Sequence, residues 1–169
     1  GDDAVALRAD LVAIDSVNPG LVAGAAGEAN TVDFLRPRLT AAGFDCRVIP
    51  AGPGGSRPSL VAIGPGPANS PVVVLNGHLD TVGVAGMVAP FDPRIEGDRM
   101  FGRGTADMKG GVAALVTVAE RLVAAGAPVR PVLALVADEE DASLGTEAVL
   151  EALPGLGITP TVCVIAEPT

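Results

Sequence analysis

Apolar residues along this chain follow two spacings in turn, one helical and one strand-like. Residues 3 to 15 carry Val5, Leu7, Leu11, Val12 and Ile14 at approximate helical spacing and end at the Asn18-Pro19-Gly20 turn. After a Gly/Ala-rich loop, a second helix is expected from about Glu28 to Ala42, with Val32, Leu35 and Leu39 inward and Gly43 as its stop. Pro37 conflicts with that helix. From Phe44 the pattern becomes strand-like, in Phe44 to Ile49, Leu60 to Ile63 and Val72 to Leu75, with Pro- and Gly-rich turns between. Residues 81 to 106 form a long irregular excursion with a short hairpin at Ile95 to Phe101 around Gly97-Asp98. A helix follows over Gly111 to Ala125, stopped by Gly126. Then come a fully apolar strand at Val132 to Val136, a short helix at Thr146 to Leu153 capped by Thr146, and a last strand at Val162 to Ile165. Strand and helix alternate, which predicts a layered α/β domain.

Composition sharpens that picture. Of 169 residues 49% are hydrophobic, yet Trp and Tyr are missing and Phe occurs four times, so the core is built from Val, Leu, Ile and Ala, as buried parallel strands under small-residue helices require. No apolar run reaches the roughly 18 residues of a membrane span, and Asp2 and Asp3 stand where a signal peptide would be basic. The net charge of −9, with basic residues scattered, argues against a nucleic-acid partner. Cys46 and Cys163 fit no CxxC pattern and fall in strand-like segments; they read as buried free thiols in a reducing, cytoplasmic compartment.

Candidate chemistry gathers where strands end. The only histidine lies in Asn76-Gly77-His78-Leu79-Asp80, directly after an apolar strand. In extended backbone His78 and Asp80 leave on one face, and Asp80 can take the proton of the second imidazole nitrogen, fixing the tautomer that ligates metal. Asp107 sits in the run Gly102 to Gly111, whose glycines permit tight turns. A phosphate loop fits poorly there, because neither GxGxxG nor GxxxxGK[ST] is present and an acidic residue would repel phosphate. Glu139 and Glu140 follow the buried strand, and adjacent carboxylates are costly unless a cation divides them or they point apart. Glu167 precedes Pro168 at the last strand. Taken singly, each has an ordinary explanation: a surface His–Asp pair, a solvated Asp138-Glu139-Glu140-Asp141 turn, a solvated final carboxylate. Taken jointly, one imidazole and several carboxylates at the same rim of a sheet call for a divalent cation, and oxygen donors with imidazole suit zinc, cobalt or manganese.

The runs Asn76 to Val82, Gly102 to Gly111, Asp138-Glu139-Glu140 with Gly145, and Glu167-Pro168-Thr169 together resemble the acetylornithine deacetylase and succinyl-diaminopimelate desuccinylase family, which includes aminoacylases and glutamate carboxypeptidases. The resemblance implies a zinc-exopeptidase-like α/β/α fold with a mostly parallel mixed sheet, and a site for two zinc ions. His78 would ligate one metal and Glu167 complete it; Asp107 would bridge both; Glu140 would ligate the second. Asp80 would orient His78, Glu139 would be the general base, and the Asp107-Met108 peptide would be cis. The implied reaction is hydrolysis of an N-acyl amino acid by a metal-activated water.

The same resemblance makes residues 1–169 the amino-terminal portion of a catalytic domain. The expected remainder is a lid, through which the full protein would form a homodimer, and the rest of the catalytic domain with a second histidine ligand and the substrate-carboxylate grip. Gly1 in place of an initiator Met agrees with trimming at the front. Alone, this chain is expected to hold at most one metal firmly, because only His78, Asp107 and Glu167 make a three-ligand site. Two other functions compete: a di-zinc aminopeptidase or carboxypeptidase of similar fold, and a non-catalytic metal-binding α/β module.

Overall fold

In the computed structural model, which describes residues 2–67 and 69–168, one five-stranded mixed sheet carries the fold. Its strands are β1 (Asp45–Ala51), β2 (Arg57–Ile63), β3 (Val72–His78), β6 (Arg130–Val136) and β7 (Val162–Ile165), in the spatial order β1-β2-β6-β3-β7. β1, β2 and β6 pair antiparallel, and β6, β3 and β7 pair parallel. A separate hairpin, β4 (Arg94–Glu96) and β5 (Arg99–Phe101), turns at Gly97-Asp98 as the sequence predicts. The helices are α1 (Asp2–Val12), α2 (Ala29–Ala41), α3 (Lys109–Ala124) and α4 (Leu144–Ala152). Thr169, the last residue of the Glu167-Pro168-Thr169 run, and Gly1 lie outside the described residues.

Period-two alternation in the strands builds two cores. Leu60, Ala62, Leu75, Leu133 and Leu135 point to one face and pack with Leu7, Leu11, Leu35, Leu39, Val112 and Val116 of α1, α2 and α3. Val61, Ile63, Val74, Val132, Ala134 and Val136 point to the other, against Val149 and Leu153 at α4. The result is the expected three-layer α/β/α arrangement. β6 lies at the centre of the sheet with Pro131 to Val136 buried on both faces, which is why its sequence is a continuous apolar run.

Three local expectations are corrected. The α4 helix begins at Leu144, and its N-cap is Ser143 in a left-handed conformation without a side-chain cap bond; Thr146 lies inside the helix. Cys163 is exposed and Cys46 half-buried, because β7 and β1 are the edge strands of the sheet. All four residues of β7 are exposed, Ile165 by 61%. Pro37 is accommodated within α2: it and Asp33, whose carbonyl loses its helical partner, both face solvent.

Candidate metal centre

β3 ends at His78, so the imidazole is delivered at the rim of the sheet with 1% of its surface exposed. Its Nδ1 meets the backbone carbonyl of Asp80 at 2.9 Å and the Asp80 carboxylate at 3.5 Å. Both the peptide carbonyl and the carboxylate of Asp80 thus face Nδ1, the carbonyl making the shorter contact, which the sequence did not foresee. The freed Nε2 points to Asp107 Oδ1 at 2.9 Å, with Glu167 Oε2 at 3.7 Å and Glu139 Oε2 at 3.9 Å.

Each partner arrives by a different route. Asp107 precedes Met108, the N-cap of α3, at the end of a loop in which Gly102 (φ 149°) and Gly104 (φ 80°) take left-handed backbone that only glycine enters freely. The Asp107-Met108 peptide is cis, as the resemblance implies. Met108 is buried, and the His78 backbone N–H donates to its sulfur at 3.2 Å; a side chain at Gly77 would overlap it. Lys109 anchors the loop from below, its buried ammonium donating to the carbonyls of Leu11 (2.9 Å) and Ile14 (2.6 Å) at the end of α1. Glu167 follows β7, where the absence of a side chain at Gly111 lets Ala166 approach α3.

One donor atom each from His78, Asp107 and Glu167 lie within 4.8 Å of one another. This nitrogen and two carboxylate oxygens, with no thiolate, form a donor set for zinc or a similar dication. Glu140 lies outside that triad but senses Asp107. Its pKa is raised, first by burial and then by the Asp107 charge. Burial also raises Glu167, helped by its hydrogen bond with Asp107. Burial would lower His78, but the hydrogen bonds and charges of Asp80, Asp107 and Glu167 outweigh it and push the imidazolium to about 9. Such crowding of anions around a cationic imidazole marks a place where a metal ion would replace the proton.

Asp80 is committed elsewhere. Its buried carboxylate accepts from Asn18 Nδ2 (2.7 Å) and from the backbone N–H groups of Glu139 (3.0 Å) and Glu140 (3.2 Å). Burial would raise its pKa, but His78, Asn18 and the Glu139 amide together hold it below the usual carboxylate range. Behind it stand residues the sequence reading passed over. Asp138 is fully buried and left-handed (φ 65°), and Arg57 at the start of β2 bridges it to Glu28. Asn18 and Glu28 were legible only as a turn and a helix start. Arg57, a lone charge at the edge of an apolar strand, was the one available signal. The acidic turn is thus not wholly solvated: Asp138 is interior, while Glu139 faces the site.

Among the described residues no helix is long and apolar enough to cross a membrane. The sequence profile of the family described as peptidase family M20/M25/M40 matches residues 74–169. The succinyl-diaminopimelate desuccinylase of Dinoroseobacter shibae is 37% identical over 173 residues, covering 99% of this chain and 43% of that protein. The same-named protein of Gluconobacter oxydans is 39% identical, with the same coverage. The chain thus spans less than half the length of these curated relatives. Among solved structures, the M20 family metallo-carboxypeptidase Sso-CP2 from Sulfolobus solfataricus superposes with a TM-score of 0.81 at 20% identity, covering 98% of this chain and 37% of that one. Human carnosine dipeptidase 1 gives 0.78 at 20%, covering 97% and 38%. These two establish a shared fold.

Proposed function

The chain belongs to peptidase family M20/M25/M40, and on that premise we propose that it carries the metal-holding part of a hydrolase that cleaves the amide bond of an N-acyl amino acid. The observation that carries the reading is the triad of His78, Asp107 and Glu167, whose donor atoms lie within 4.8 Å at the rim of the sheet. These residues would hold one zinc ion, with cobalt or manganese as alternatives, and Asp107 with Glu140 would reach a second. When bound, such ions polarise the amide carbonyl and acidify water.

The protein's own groups do the rest. Glu139, whose Oε2 is 3.9 Å from His78 Nε2, takes the proton of the attacking water as the C–O bond forms. It returns that proton to the leaving nitrogen as the C–N bond breaks, giving a carboxylate and a free amino acid. Asp80 keeps His78 and the Glu139-Glu140 turn in register. The relatives named succinyl-diaminopimelate desuccinylase favour a succinyl substrate. In the same reading residues 1–169 are the amino-terminal portion of the catalytic domain. The further length of those relatives would correspond to the lid, its dimer contact and the remaining ligands.

A peptidase is the second reading, favoured by the folds of Sso-CP2 and carnosine dipeptidase 1. Assays of the complete protein with N-succinyl-diaminopimelate, N-acetylornithine, a dipeptide and an aminoacyl nitroanilide separate the two. Turnover of the acyl amino acids is expected. Cleavage of the dipeptide or anilide alone would replace the deacylase reading with the peptidase one. Glu139→Gln is expected to abolish turnover while metal stays bound.

A further inference from the structure

Directly beneath the Glu139-Glu140 turn, five polar side chains are buried together: Asn18, Glu28, Arg57, Asp80 and Asp138. Two of their carboxylates capture three successive backbone amides. Glu28 Oε1 accepts from Asp138 N at 3.1 Å, Asp80 Oδ1 from Glu139 N at 3.0 Å, and Asp80 Oδ2 from Glu140 N at 3.2 Å. Arg57 joins Glu28 to Asp138, forming a fork with the first and a 2.6 Å bond with the second.

Asn18 is the only side chain among the described residues that bonds both carboxylates at the ends of β3 and β6. Its two amide hydrogens are divided between Asp80 Oδ2 (2.7 Å) and Asp138 Oδ1 (3.0 Å). Its oxygen accepts the Gly20 N–H at 2.8 Å, and the reversed orientation would aim that oxygen at two carboxylates. Burying three carboxylates against one guanidinium is a costly way to pack a core, and apolar side chains would do it more cheaply. What the arrangement obtains instead is direction: three of its bonds end on the backbone amides of the turn that bears Glu139 and Glu140, and Asn18 and Arg57 hold the Asp138 side chain at the start of that turn.

We propose that Asn18 is a positioning residue for Glu139, clamping the strand-end carboxylates so that the turn holds the base over the site. This rests on the reading of Glu139 as general base. The test is a double-mutant cycle in the complete protein, with kcat, KM and metal content measured on the better of the two acyl amino acid substrates. Asn18→Leu, which keeps volume and loses both donors, should lower kcat about 10- to 100-fold, as a misplaced catalytic group does, with KM and metal content within about twofold. In a Glu139→Asp background, whose shortened base still turns over but no longer reaches the place the turn sets for it, the same change should have little further effect on kcat. A general loosening of the fold would instead give additive losses and reduced metal content, and either result overturns the inference. Should Asn18→Leu fail to fold, Asn18→Ser, which keeps one donor, enters the same cycle under the same criteria. Turnover that survives Glu139→Gln overturns the base assignment, and this inference with it. Turnover lost in Glu139→Gln but unchanged in the Asn18 variant overturns this inference alone.

Discussion

His78 Nε2 lies 2.9 Å from Asp107 Oδ1, joining the last residue of β3 to the residue that precedes the Met108 N-cap of α3. A proton between them and a dication on them are mutually exclusive, so pH and metal compete for one place. With the imidazolium raised from 6.5 to about 9, its contribution to stability is complete below pH 6.5 and is lost as pH rises through 9. In excess chelator the melting temperature is therefore expected to fall between pH 6.5 and 8, on the order of 5 °C. Affinity for zinc should rise over the same interval, with proton release visible by calorimetry in buffers of different ionisation enthalpy. A chelated protein whose melting temperature stays flat or rises across that interval would contradict the assignment.

Metal binding by the 169-residue chain should approach one firm equivalent. His78, Asp107 and Glu167 make a three-donor site, whereas Asp107 and Glu140 alone make a poor one. Asp107→Asn removes a ligand charge from the triad and should weaken binding by more than about 100-fold. Two equal, tight sites in a zinc titration would refute this asymmetry.

Gly111→Ala sets two effects against each other. Alanine inside a helix gains up to about 1 kcal/mol over glycine, but here its Cβ would stand 2.5 Å from the carbonyl oxygen of Ala166. Overpacking of that kind costs about 1 to 3 kcal/mol and should win. Because Ala166 precedes Glu167, the variant should also bind zinc more weakly than its stability loss explains, a point that calorimetry on the folded fraction would decide.

Lys109 is a buried ammonium whose pKa burial depresses to about 8, with Asp15 pulling slightly the other way. A lowered lysine destabilises the fold while charged, so the protein should gain stability from this group as pH rises from about 8 toward 10.5. Lys109→Met would forfeit that gain and leave the Leu11 and Ile14 carbonyls unpartnered, costing about 1 to 3 kcal/mol at neutral pH. Melting curves of both proteins across that range should diverge; parallel curves would mean that Lys109 keeps an ordinary pKa.

Much of this architecture is written locally. The apolar run of β6, the spacing of Val32, Leu35 and Leu39, and the Gly97-Asp98 hairpin each record burial or turn geometry within a few residues. His78, Glu139, Glu140 and Glu167 stand where they do for a related reason: strand ends define one rim, and polar residues just beyond apolar runs lie there, while Asp107 is marked by the glycine-rich loop that leads into α3.

What the chain by itself determined is thus the alternation of strands and helices and the inventory of metal-capable side chains. Only the folded structure decided that Cys163 would be exposed on an edge strand, that Asp138 would be interior, and that Asn18, Glu28 and Arg57 would meet beneath the site. The reason is the range of the interactions. Periodicity reports which face of an element is buried, whereas the burial of a charge depends on a partner 29 to 120 positions away, which no local pattern encodes.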